Sequence, residues 1–288
     1  AELSGNSVDN YNSVAIAGNN TQWMAAIVTN HSGEITLDDA AAGTVGNLDN
    51  RAILEIDNST LSLTDGINAS GGNIKLSNNA TLNVSNVLTN EGDITVDASS
   101  TLASATFQQI AGTTLINGGV LGADNLSVSA IAAGTLSGHG DIMGDLAVTE
   151  SGALNPHQDE LDPSGQFIIS DSLNLAGTFN VDLGGTSVAD FDRLLVSGTA
   201  DLAGTLNVEL VDGFTPMVGD FFDIIIAPSV LGNFDDIILP MLANGLQIDA
   251  TNEGTFYRLQ VTAVPIPPII PAFVLCLLYL RQRGILRR

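Results

Sequence analysis

Four groups of acidic side chains lie close enough along the chain to act as paired carboxylates: Asp38-Asp39, Asp159-Glu160 with Asp162, Asp220 with Asp223, and Asp235-Asp236. Two carboxylates facing one another across a groove can hydrolyse a glycosidic bond, one as acid and one as base or nucleophile. Asp-rich turns can also hold calcium weakly, but the Gly-Gly-x-Gly-x-Asp repeat that makes such turns strong ligands is missing. The histidines are His31, His139 and His157, far apart in sequence. None has a His or Cys partner at metal-ligand spacing, so they read as exposed turn residues. The one cysteine, Cys276, lies near the C-terminus, which leaves the body without disulfides, thiolate ligands or a cysteine nucleophile. Serines are plentiful, yet no Gly-x-Ser-x-Gly elbow occurs. The acids therefore read as solvated turn residues, and the chain as non-enzymatic, with no catalytic residue, metal ligand or cofactor assigned.

Charge divides the chain in two. The 288 residues carry a formal net charge of −24. Residues 1–262 hold every acid and only four bases, Arg51, Lys75, Arg193 and Arg258, whereas residues 263–288 hold four arginines and no acid. A body this acidic repels phosphate backbones, which argues against nucleic-acid binding and favours loose attraction of cations.

The elements that must position these groups are short strands. Apolar and polar residues alternate in Ile35-Thr36-Leu37, Ile74-Lys75-Leu76, Leu82-Asn83-Val84 and Leu206-Asn207-Val208, with Gly, Asn, Ser and Asp between such runs. The runs recur at a fixed step. Gly72-Asn73-Ile74-Lys75-Leu76 is answered twenty residues later by Gly92-Asp93-Ile94-Thr95-Val96, and Thr60-Leu61, Thr81-Leu82 and Thr101-Leu102 follow the same interval. A longer echo begins at Leu175: Leu-Ala-Gly-Thr-Phe-Asn-Val-Asp-Leu returns from Leu202 as Leu-Ala-Gly-Thr-Leu-Asn-Val-Glu-Leu, with seven of nine positions identical and a spacing of twenty-seven. A step of this size, built from two or three short strands, fits one coil of a solenoid, whose inner face is buried only by stacking. Ile74, Leu76, Leu82 and Val84 would then face the core. Asn and Gly suit the corners, where both tolerate left-handed backbone angles. A sandwich of antiparallel hairpins is the alternative. Trp23 reads as part of an N-terminal cap, with sugar stacking as the second possibility.

The expected architecture is an all-β, right-handed parallel β-helix over residues 1–211. A C-terminal β cap follows over 212–262, where Phe214, Phe221, Phe222, Phe234, Phe256 and Tyr257 supply aromatic bulk to cover an open end. Residues 263–288 form a tail with a single transmembrane helix. Its uninterrupted apolar run is short for a full span, which needs about 20 residues, but arginines follow at once.

Val264-Pro265-Ile266-Pro267, then an apolar segment, then the basic cluster Arg281, Arg283, Arg287 and Arg288, resembles the PEP-CTERM sorting signal, the tripartite tail that exosortases recognise in exopolysaccharide-producing Gram-negative bacteria. Ile266 stands where the Pro-Glu-Pro form has its acid, a departure from the commonest pattern. The body is similar to autotransporter passenger β-helices in Asp192-Arg193-Leu194-Leu195-Val196-Ser197-Gly198-Thr199-Ala200 and in Gly138-His139-Gly140-Asp141-Ile142-Met143-Gly144-Asp145-Leu146. The tail lacks the train of alternating ten-residue strands of an outer-membrane barrel. These resemblances imply an exported protein of the cell envelope, held transiently in the membrane and then released or kept at the surface. An exosortase-type processing enzyme and the exopolysaccharide matrix are the implied partners. The expectation is a structural or adhesive surface protein. The alternatives are a β-helix polysaccharide lyase or hydrolase and a fragment of a larger autotransporter-type adhesin. Lyases on β-helices tend to use basic residues with carboxylate-bound calcium, and the body has few bases.

Overall fold

The computed structural model describes residues 2–19, 21–124, 127–157 and 165–265. Every regular element among them is a strand, and the strands stack as a parallel β-solenoid. The sandwich alternative fails on direction: apart from the last hairpin and one isolated bridge, the pairings are parallel.

One coil of the N-terminal half explains the pattern. Gln22–Asn30 is a long strand in which Trp23 and Ala25 point inward, then Val28 and Asn30. The inward parity changes at Ala26, which the ladder to the next coil skips. The long strand is thus two straight pieces joined by a bend, and Glu34–Asp38 supplies a third, with Ile35 and Leu37 buried. Three faces close around an apolar centre. At the equivalent bend one coil on stands Gly46, where a Cβ atom would lie 2.4 Å from the Ala26 carbonyl oxygen. A glycine is required there by the close approach of backbone to backbone.

The twenty-residue step aligns like with like. Ile35, Leu54, Ile74, Ile94, Thr114 and Leu136 lie in register on successive coils, and the column continues through Leu154, Phe179, Leu206 and Ile237. The Thr-Leu pairs at 60, 81 and 101 are direct neighbours, as are the last six residues of the two echoes, Thr178 to Leu183 and Thr205 to Leu210. Ile74, Leu76, Leu82 and Val84 are buried as expected. Each such side chain contributes about 1.5–3 kcal/mol relative to exposure.

The corners divide asparagine into two roles. Asn58, Asn78 and Asn79 adopt positive φ at turns, beside Asp39, Ala40 and Ser99. Asn10, Asn30, Asn50, Asn68 and Asn90 instead point inward and are buried. Each of the first four donates its amide N–H to the side-chain oxygen of the next at 2.8 Å. Asn90 then donates to the Thr114 hydroxyl, which donates to Gln109 Oε1. The ladder also satisfies turn carbonyls, including those of Ile53 and Ala52. Buried amides cost free energy unless paired, and stacking identical amides in register pairs them.

Beyond Gln109 the same inward position becomes Ile131, Val148, Leu175 and Leu202. The coil also lengthens: Leu173 pairs with Ala200 and Thr178 with Thr205, twenty-seven residues apart. Residues 221–238 still form a layer paired in parallel with the coil beneath, through Leu194, Ala200 and Leu206. The antiparallel hairpin Leu246–Asn252 and Phe256–Ala263 then folds against Phe221–Ile226. Tyr257 is buried edge-on against Phe234, and Arg258 forks onto Asp223 at 2.7 and 2.9 Å between the rings of Phe221 and Phe256.

No helix among the described residues is long and apolar enough to cross a membrane. The transmembrane segment expected within 263–288 lies, from Ile266 onward, outside the described residues.

Candidate binding groove and histidine–aspartate cluster

The longer coils carry extra residues, and one excursion organises a site. After Leu183 the chain leaves the third face, turns through 184–190 and returns by an antiparallel bridge from Phe191 to Leu183. The Gly184 N–H donates to the Asp190 carbonyl and the Asp192 N–H to the Asp182 carbonyl, which fixes the return. Phe191 is pinned inward, edge-on to Phe222 with centroids 5.3 Å apart. Arg193, the next residue but one, starts a strand on the first face in register with Gln166.

This excursion walls a groove of about 520 Å³ along the first face. Its apolar lining includes Phe191, Val188 and Ile168, and its polar lining includes His139, Gln166 and Arg193. A second hollow of about 260 Å³ shares Val188, Phe191 and Arg193 and runs toward Asp220 and Asp223. Arg193 makes no ion pair among the described residues, and its Nε is buried without a hydrogen-bond partner. A guanidinium beside apolar walls is suited to a carboxylate-bearing ligand, which it can hold by two parallel hydrogen bonds.

Behind the groove, His157, Asp182 and Asp192 converge. His157 Nδ1 lies 3.3 Å from Asp192 Oδ2 and 3.4 Å from Asp182 Oδ2. Asp192 is fully buried. Its Oδ1 accepts the Gly165 N–H at 2.6 Å and its Oδ2 accepts the Asp182 N–H at 3.0 Å. These bonds tie the excursion to both neighbouring strands. The hydrogen bond with Asp192 raises the His157 pKa, and nearby carboxylates add to it against the effect of burial. Burial raises both acids, Asp182 to about 6.

The acidic groups named from sequence are not brought together. Asp38 and Asp39 sit at an exposed corner, where the Asp38 carboxylate accepts the Asp39 N–H. Asp220 accepts the Met217 N–H, Asp223 is held by Arg258, and Asp235 accepts the Gly204 N–H. Asp159, Glu160 and Asp162 lie outside the described residues. Trp23 is buried in the second coil and presents no face for a sugar. The histidines are not exposed turn residues: His31 is half-buried and stacks on Tyr11 with ring centroids 4.4 Å apart, His139 is half-buried within the strand Val128–Ile142, and His157 is half-buried among acids. Of the sorting motif, Val264 is exposed and donates its N–H to the Gly245 carbonyl, and Pro265 is the last described residue. Ile266, Pro267, Arg281, Arg283, Arg287 and Arg288 lie outside the described residues.

Sequence reasoning missed His157 because 25 and 35 residues separate it from its partners. The signal was the register: Leu154 pairs with Phe179, and the same offset of 25 carries His157 to Asp182. Sequence comparison adds no relative: no protein-family model matches the chain, and no curated protein matches it.

Proposed function

We propose that this chain is an exported structural or adhesive protein of the cell envelope, a stiff acidic column that contacts acidic extracellular polysaccharide through the Arg193 groove. The observation that carries this reading is a guanidinium without an ion pair among the described residues, seated among apolar side chains on a body of strongly negative charge. A base without an ion pair among the described residues attracts an anionic group where the acidic surface around it, Asp141 in the same groove included, repels it, which favours a local, oriented contact. Stacked parallel coils supply the stiffness that a matrix element needs. The coils wind right-handed in this reading, as parallel crossovers nearly always do. The tail acts as a PEP-CTERM-like signal, with a membrane-spanning segment held by Arg281, Arg283, Arg287 and Arg288 until an exosortase-type enzyme acts near Val264-Pro265-Ile266-Pro267.

Affinity co-electrophoresis in gels containing uronic-acid polymers tests the groove. Retardation by the polymer, weakened at least tenfold in Arg193→Ala and kept in Arg51→Ala, is the expected result. Equal retardation of both variants would remove the groove from the account. A lyase or hydrolase is the second reading, favoured by one observation: His139 and Arg193 line the same groove. New reducing or unsaturated ends that vanish in His139→Ala would establish that reading instead. Mass spectrometry of the protein from its native host tests the tail, with loss of the residues after the sorting motif expected.

A further inference from the structure

We infer that His157, Asp182 and Asp192 form a binding site for a divalent transition-metal ion of the zinc class, held by one imidazole nitrogen and two carboxylate oxygens.

The metal-free cluster holds a long hydrogen bond between His157 and Asp192, and its geometry also suits a metal ion. A single ring nitrogen carries at most one proton, which serves two oxygens only as a shared, weaker three-centre bond. Both separations, 3.3 and 3.4 Å, also exceed the roughly 2.7–2.9 Å of a charge-assisted N–H···O bond. They match the edge of a tetrahedron instead: with metal–ligand bonds near 2.0–2.1 Å, neighbouring ligands stand about 3.3 Å apart. The three ligand atoms all lie within 4.8 Å of one another, so a small closing of the side chains brings them onto one ion.

The supporting shell is in place. Asp192 is fully buried, and backbone N–H groups of Gly165 and Asp182 fix its carboxylate. Such outer contacts orient a ligand before the ion arrives. The side chains of His157 and Asp182 are 25% and 15% exposed, so the cluster is reachable from solvent. Two carboxylates balance the charge of a divalent ion, which offsets the cost of holding both beside buried Phe191. One nitrogen and two oxygens favour zinc or manganese over calcium, which takes six to eight oxygens. The ion would clamp the turn at His157, the third-face strand at Asp182 and the excursion that walls the groove. The site needs no polysaccharide contact, so the two proposals stand or fall separately.

Isothermal titration of the EDTA-stripped full chain with Zn²⁺, in high salt to suppress diffuse cation attraction, tests the assignment. One equivalent should bind, with a rise in unfolding temperature. His157→Ala and Asp182→Asn should each weaken binding at least tenfold, while still unfolding cooperatively in EDTA. His31→Ala, which alters another histidine beside an acid, should bind as the parent does. Binding that ignores His157→Ala and Asp182→Asn, no stoichiometric binding, or Ca²⁺ binding as tightly as Zn²⁺ would each overturn the proposal.

Discussion

The two halves of the column solve one corner differently. In the first, an inward position repeats Asn10, Asn30, Asn50, Asn68 and Asn90, and side-chain amides bond from coil to coil. In the second, the same position holds Ile131, Val148, Leu175 and Leu202 and closes by apolar packing. The polar solution demands a neighbour of the same kind at the same height, which enforces near-constant coil length and leaves few spare residues. The apolar solution requires only volume. Coils there run to twenty-seven residues and then thirty-one, and the surplus of the first builds the excursion that gathers Phe191, Asp192 and Arg193. Regularity supplies stiffness, and departure from it supplies the sites.

Exchanging the two solutions should break the second half first. Leu175→Asn buries an amide with no ladder above or below it and removes packing against Val148 and Leu202. The expected loss is about 4 kcal/mol or more by denaturant unfolding. Asn50→Ala should cost about 2 kcal/mol, because it strands Asn68 Oδ1, while the Ala52 carbonyl keeps the Asn73 N–H and Asn30 keeps a bond to the Ile53 carbonyl.

The His157 cluster should make metal-free stability depend on pH in a way the ladder half does not share. The folded chain holds the Asp182 proton more tightly than the unfolded chain, with a pKa near 6 against an ordinary value of 3.8. That stability is present below the unfolded value and is lost as pH rises from about 4 through 6. The raised His157 has the same sign: its contribution is present below the ordinary histidine range and is lost as pH climbs through the higher folded value. Unfolding midpoints measured in EDTA should therefore fall across this window, and Asp182→Asn should flatten the lower part of the slope. The smallest effect belongs to Asn207→Ala. Its amide donates to Asn180 on the outer surface, where water replaces the bond, so under about 1 kcal/mol should be lost.

Much of the fold was legible because stacking in register repeats residue types. Thr60, Thr81 and Thr101 were spaced by one coil, and in the structure they are neighbours. The ladder is hidden in the sequence, although its members stand at 10, 30, 50, 68 and 90, because asparagine serves two opposite ends here. The same residue that relaxes a corner at Asn78 fills the core at Asn68, and only inward direction separates them. The site was less legible still. His157 meets Asp182 through a coil offset of 25, and Asp192 arrives by a fold-back that no periodicity encodes. Arg193 shows in the sequence as one of four bases and as part of the passenger-like stretch 192–200, with nothing to mark a groove. Its place beside Phe191 and Val188 depends on the same fold-back.

The central claim is that an internal amide ladder holds the first half and stops where the apolar corner begins. Hydrogen exchange of assigned asparagine side-chain amides, followed by NMR, reads it most directly. Protection of the Asn30, Asn50 and Asn68 amides through global unfolding, with the half-buried Asn207 amide exchanging well ahead of them, is the result this account requires. Fast exchange at Asn50, equal to that at Asn207, would contradict it.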